Sequence, residues 1–153
     1  MIDAYEDRKV ATFYVPGAYL QTYLAKEKFT ILLLEGKFVD IMRDINPKYK
    51  QHVRFKYGKK KLYLRILKEI YGMIKSALHW YKLYRSLINS MGLQLNPYDT
   101  CVANNNINGK KCTIHWYVDN NKVSRVEQEV IDDFISKVEE VLPGLTFIKG
   151  NLH

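Results

Sequence analysis

The sequence predicts an α+β fold, an antiparallel sheet with helices packed on one face. Three observations carry that expectation. Apolar, β-branched and aromatic stretches fold back on themselves at a turn over Tyr57-Gly58 and at the strong turn signal Asn108-Gly109. Trp80, Leu83, Tyr84, Leu87, Ile88 and Met91 recur on one face of a helix. The elements then follow in the order strands, helix, hairpin, helix, strand, which calls for mixed connections.

Residues 8–15 form the first expected strand. It ends at Pro16-Gly17, where Pro removes a donor and Gly permits a turn. Residues 29–34 make a second strand that closes at Glu35-Gly36. Phe38, Val39, Ile41, Met42 and Ile45 recur at helical spacing, and Asn46-Pro47 stops that short helix. A hairpin joins 52–55 to 62–67, and the long helix that follows is capped by Gly92. A second hairpin joins 100–104 to 111–118, and its Asn108-Gly109 turn places Cys101 opposite Trp116, not opposite Cys112. That strand runs into a turn of Asp119 with Asn120 and Asn121. Ser124 and Glu127 predict a capping box opening a helix with Val126, Val130, Ile131, Phe134, Ile135 and Val138 inward. Pro143-Gly144 ends it, and 145–148 begin a last strand left unpaired on one side.

Composition narrows the classes. A chain of 153 residues, 47% hydrophobic and 26% charged, belongs with globular chains and amounts to one domain or a piece of one. The longest apolar run, 31–34, is too short to span a bilayer, and the acidic N-terminus has no secretory h-region. Two cysteines make neither a disulfide scaffold nor a zinc site, so an intracellular, reducing location, cytoplasmic or nuclear, is expected. The net charge of +8 favours polyanionic partners. Lys56, Lys59, Lys60, Lys61 and Arg65 cluster with Tyr57 and Tyr63 interleaved, either as a solvated hairpin turn or as a phosphate-binding surface.

Four stretches in order carry a family resemblance. They are Val15-Pro16-Gly17-Ala18-Tyr19-Leu20, then Leu67-Lys68-Glu69-Ile70-Tyr71-Gly72-Met73-Ile74-Lys75-Ser76-Ala77 leading to Trp80-Tyr81. Asn96-Pro97-Tyr98-Asp99-Thr100-Cys101-Val102 and Tyr117-Val118-Asp119-Asn120 complete the set. Together they resemble the reverse transcriptase (RNA-directed DNA polymerase) domain of copia-type long-terminal-repeat retrotransposons. The likeness runs from about Arg8 to the C-terminus. It implies a polymerase palm, in part with fingers, and a palm-centred portion of the whole domain. The upstream fingers hairpin and the downstream thumb, ribonuclease H and integrase segments would then lie outside it.

The resemblance also implies a chemistry, nucleotidyl transfer by two magnesium ions on deoxynucleoside triphosphates along an RNA or DNA template-primer. Three carboxylates hold those ions in intact relatives, and carried over by position they fall on Tyr14, Asp119 and Asn120. Only Asp119 remains a carboxylate. The resemblance further places Val15, Gly17, Ala18, Tyr71 and Gly72 against the nucleotide. Tyr19 would exclude a ribose 2′-hydroxyl, or simply fill a core. Lys75, Ser76, Tyr117 and Lys59 to Lys61 stand as template or primer contacts. Asn is neutral and Tyr at pH 7 is a neutral phenol, so a transposable-element pseudoenzyme is expected, inactive in polymerisation. A non-catalytic nucleic-acid-binding remnant and a relic without selected function are the alternatives. Trp80, Tyr81 and Tyr84 read as helix core, and His115 as a structural histidine beside the site.

Overall fold

A computed structural model describes residues 2–25 and 29–150. In chain order it contains α1 (Ile2–Tyr5), β1 (Lys9–Tyr14), a 3-10 turn (Ala18–Gln21), β2 (Thr30–Glu35) and α2 (Lys37–Ile45). A second 3-10 turn (Pro47–His52) precedes β3 (Arg54–Lys56), β4 (Lys59–Ile66) and α3 (Ser76–Ser90). β5 (Gln94–Leu95), β6 (Val102–Ile107), β7 (Lys110–Tyr117), β8 (Asn120–Arg125), α4 (Gln128–Val141) and β9 (Thr146–Gly150) follow. The chain is mixed α+β with antiparallel sheets, and it divides into two units, one of Met1–Thr22 with Ile70–His153 and one of Tyr23–Glu69.

The larger unit is built on a six-stranded sheet in the order β5-β6-β7-β8-β1-β9. Its register starts at the Asn108-Gly109 turn, where both residues take positive φ (52° and 77°), as the tight hairpin turn that matches strand twist demands. Ile107 therefore faces Lys110, and counting back sets Cys101 against Trp116, whose N–H donates to the Cys101 carbonyl at 3.0 Å. Side chains alternate along each strand. Ala11, Phe13, Ala103, Cys112, Ile114, Trp116 and Val123 share one face, buried with Trp80, Tyr84, Leu87 and Ile88 of α3 and Ile131, Phe134, Ile135 and Val138 of α4. The apolar periodicities of both helices thus fall on the core, as the sequence leads one to expect. The short α1 is an exception to helices on one face, because its Asp3 reaches Lys122, which points to the other side of the sheet.

Two expectations are corrected. Ser124 opens no capping box: it is a buried residue of β8, paired with Val10 on one side and Thr113 on the other. The backbone ladders on both flanks outbid a local cap. Glu127 precedes α4 without a side-chain cap bond, and its carboxylate instead accepts from Arg125 and Lys110. The acidic turn is also shorter than expected. It consists of Val118-Asp119 alone, and Asn120 and Asn121 already belong to β8.

In the smaller unit β2, β4 and β3 form a three-stranded sheet in that order. The Tyr57-Gly58 turn, with φ of 53° and 70°, joins β3 to β4. α2 buries Val39 and stops where Asn46 accepts a hydrogen bond from the Lys48 N–H and Pro47 begins the 3-10 turn. Ile31, Leu33, Tyr63 and Arg65 line up on the exposed face of this sheet.

Candidate functional site

Three neighbouring strands of the larger unit end together. β1 finishes at Tyr14, and the β7–β8 hairpin turns at Val118-Asp119, so the pairing runs Tyr14 against Asn120 and Asn120 against Tyr117. Tyr14, Asn120 and Tyr117 therefore point from the same open face of the sheet. The ladder continues one step past β1, where the Val15 N–H donates to the Asp119 carbonyl at 2.8 Å. In this way the fold brings together the three positions expected to carry carboxylates.

Asp119 is the charge at the centre of this group. Asn120 donates its side-chain amide to the Asp119 carboxylate at 3.2 Å. Tyr14 donates its hydroxyl to the same carboxylate, and that bond, together with the carboxylate's charge, pushes the phenol's pKa up. Asn121, buried beneath the turn, donates to the Asp119 backbone carbonyl at 2.9 Å. Asp119 is thus a lone carboxylate held by neutral donors. No group of three or more His, Cys, Asp or Glu side chains able to share an ion occurs among the described residues.

The first-motif positions pack beside it. Gly17 adopts φ +58°, a conformation that glycine takes without strain, and the 3-10 turn begins at buried Ala18. Tyr19 and Tyr71 rest ring against ring, their centroids 4.5 Å apart. Burial, then the nearby Asp119 charge and Tyr19, push the Tyr71 phenol up, while the Ala18 backbone N–H bonded to it acts in the opposite sense. Gly72, also at positive φ (94°), carries the chain on to α3. Lys75 is exposed at the start of α3, whereas Ser76 is buried and donates its hydroxyl to the Ile70 carbonyl at 2.8 Å. Trp80 and Tyr84 lie in the core, as expected, and His115 is exposed on β7.

Lys59, Lys60 and Lys61 belong to the other unit. Lys60 pairs with Asp40 at 2.7 Å and Lys61 with Glu35 at 2.6 Å, while Lys59 is exposed. Here the charge is the main finding. Residues 23–69 hold 13 Lys and Arg against 5 Asp and Glu, a surplus of 8; the remaining residues hold 11 of each. The whole +8 therefore sits in the smaller unit. Several of its cations lie over aromatic rings: Lys68 over Tyr23 at 4.8 Å, Arg65 over Phe29 at 5.2 Å and Lys56 over Tyr57 at 5.5 Å.

Two residues at the site, Asn121 and Val118, and one at the far end of β8, Arg125, have roles that the sequence did not announce. Asn121 and Arg125 are polar side chains turned toward the core from a strand that the sequence hid. Val118 is a β-branched residue at φ +54°. An alternation of Asn121, Val123 and Arg125 is the only signal that could have found the two polar ones. Among the described residues no helix is long and apolar enough to cross a membrane. Comparison with protein-family models, curated proteins and solved structures found no match for the chain.

Proposed function

We propose that this chain is a palm of the reverse-transcriptase type, akin to the copia branch, that has lost polymerisation and retains nucleic-acid binding. The observation that carries the reading is the meeting of Tyr14, Asp119 and Asn120 at the ends of β1, β7 and β8. Tyr14 is 105 residues from Asp119 along the chain, and the four sequence stretches of the resemblance anticipate their meeting. Binding is supported by the net surplus of +8, which falls wholly in one unit with aromatic rings among its cations.

Magnesium does not fit the residues present. Two divalent ions and a triphosphate need several anionic oxygens, and this group offers one carboxylate, already engaged by the Asn120 amide and the Tyr14 phenol. An amide oxygen and a neutral phenol are poor replacements for two negative charges. No catalytic step is therefore assigned to a metal here.

Fluorescence anisotropy of a labelled RNA–DNA primer-template, titrated at several salt concentrations, tests the reading. Saturable binding that weakens linearly on a log–log salt plot is expected. No binding at low salt would overturn it. Primer extension is expected to be absent, and extension by the unaltered chain would refute the loss of polymerisation. The Tyr14→Asp, Asn120→Asp double variant regaining extension would add support to the polymerase ancestry.

A further inference from the structure

We propose that the open face of the large sheet carries a metal-independent nucleobase pocket, with Tyr14 and Tyr117 as walls and the Asn120 amide as its floor. The three residues form one row across β1, β8 and β7. The next row inward is Thr12, Lys122 and His115. Together with Thr146 of β9, which pairs with Tyr14, and with Phe13 and Asn121, these six line a cavity of about 340 Å³. That volume falls at the lower end of small-ligand sites.

The chemistry of the row selects the ligand class. Tyr14 and Tyr117 stand two strands apart, roughly 9.5 Å between backbones, and are 38% and 73% exposed. Tyr14 is held at its hydroxyl by Asp119, and exposed Tyr117 closing over a flat ring stacked on Tyr14 would cover the ring's second face. Asn120 lies between them and offers an acceptor and a donor side by side, the pattern that pairs with the edge of adenine. One of its N–H groups already bonds Asp119, which fixes the amide's plane and leaves its second N–H and its carbonyl. A carboxylate at position 120 could accept only, so the Asn makes base reading possible where an Asp would not. Lys122, paired with Asp3, and exposed His115 flank the far end, where the phosphate of a nucleotide would lie.

The same base can arrive as a free nucleotide or as part of a strand. The pocket rests on the geometry alone and needs neither the polymerase ancestry nor the charge of the other unit. Adenosine 5′-monophosphate is the probe, titrated calorimetrically in EDTA, with the Asn120 side-chain amide followed by NMR. Saturable binding is expected, with a shift of that amide. Tyr117→Ala and Asn120→Leu should each weaken it about 10-fold, the scale of one stacked base, while Tyr117→Phe should preserve it. Ribose 5-phosphate should not bind. Competition by a short oligo(dA) but not by its abasic counterpart would assign the pocket to strand bases; no competition by either would assign it to free nucleotides. Equal binding of ribose 5-phosphate, or indifference to Tyr117→Ala and Asn120→Leu, would overturn the proposal. Binding of the nucleotide with no binding of any oligonucleotide or duplex would leave the pocket standing and sink the nucleic-acid reading.

Discussion

The Trp80 indole donates its Nε1–H to the backbone carbonyl of Val118 at 2.7 Å, tying the core of α3 to the turn of the β7–β8 hairpin. The bond falls on a strained residue. Val118 holds φ at +54°, which a β-branched side chain rarely adopts and which costs about 1–3 kcal/mol. Trp80 itself is packed against Tyr84, centroids 5.2 Å apart, and Tyr84 against Trp116. The turn bearing Asp119 is therefore held in place from beneath by aromatic packing.

Replacing Trp80 by Phe separates the bond from the packing. The Val118 carbonyl is deprived of its indole donor, so the variant should be less stable by about 1–3 kcal/mol, with part of the difference due to the smaller ring. Urea denaturation measures it, and faster amide exchange should appear in the hairpin. Unchanged stability and exchange would show that the turn does not depend on α3.

Val118→Gly tests the strain itself. Glycine removes the penalty of positive φ but adds freedom to the unfolded chain, and the balance should favour the variant by about 1 kcal/mol. A higher urea midpoint with an unchanged slope is the expected result. A lower midpoint would mean that Val118 contributes more through its packing against the core than its backbone costs.

Arg125 holds the opposite end of the same hairpin system. Its guanidinium is 1% exposed and donates to the Lys110 carbonyl at 2.6 Å, the Ile107 carbonyl at 2.7 Å and Glu127 at 2.8 Å. Those two carbonyls bracket the Asn108-Gly109 turn. Arg125→Met keeps much of the volume and leaves two buried carbonyls without their donor, and it should destabilise the chain by about 1–3 kcal/mol. Thermal unfolding checks this; a change below about 1 kcal/mol would mean that water replaces the guanidinium.

These two anchors explain why part of the site was illegible in the sequence. Hairpin turns were legible because Asn108-Gly109 and Tyr57-Gly58 satisfy a local geometric need, and α3 was legible because its apolar spacing is local too. β8 was not. Asn120-Asn121-Lys122-Val123-Ser124-Arg125 has one apolar residue and low strand propensity, and it is a strand only because β7 and β1 pair with it on both sides. The same reason turned Ser124 into an apparent cap, since the serine-to-glutamate spacing looks identical until the tertiary ladder is known. Tyr14, Asp119 and Asn120 could be matched by motif, but their common face depends on that hidden strand.

Acid should loosen α1. Asp3 is partly buried, which disfavours its charge, but hydrogen bonds from Lys122 and Ser124 and the charges of Lys122 and Arg8 outweigh burial and hold its carboxyl below the ordinary range. A carboxyl lowered in the folded state adds stability above its unfolded pKa, near 3.8, and that stability is lost as pH falls through the folded value. The α1 interactions should therefore persist at neutral pH and weaken below about pH 4. Amide exchange of residues 2–8 across that window measures it. Asp3→Asn should show the loosened state at neutral pH and little further change in acid; an unchanged acid response would place the titrating group elsewhere.

The net charge of the chain is unevenly placed. Because the larger unit is neutral in sum and residues 23–69 carry the whole surplus of 8, salt-sensitive binding to nucleic acid should depend on the smaller unit. Its lysines are not equivalent. Lys60 and Lys61 already face Asp40 and Glu35, and the lowered pKa of both carboxyls reflects those hydrogen bonds first. A phosphate would have to compete with these partners, whereas Lys56 and Lys59 are exposed on the two strands beside the Tyr57-Gly58 turn. Lys56→Gln with Lys59→Gln should flatten the slope of log K against log salt by up to roughly 2, about one for each phosphate no longer neutralised. Lys60→Gln with Lys61→Gln should flatten it less, and Lys82→Gln with Lys137→Gln in the larger unit should leave it unchanged. A slope that responds only to Lys82→Gln with Lys137→Gln would mean that strand binding is organised around α3 and α4 of the larger unit, with the basic unit acting merely as a solvated surface.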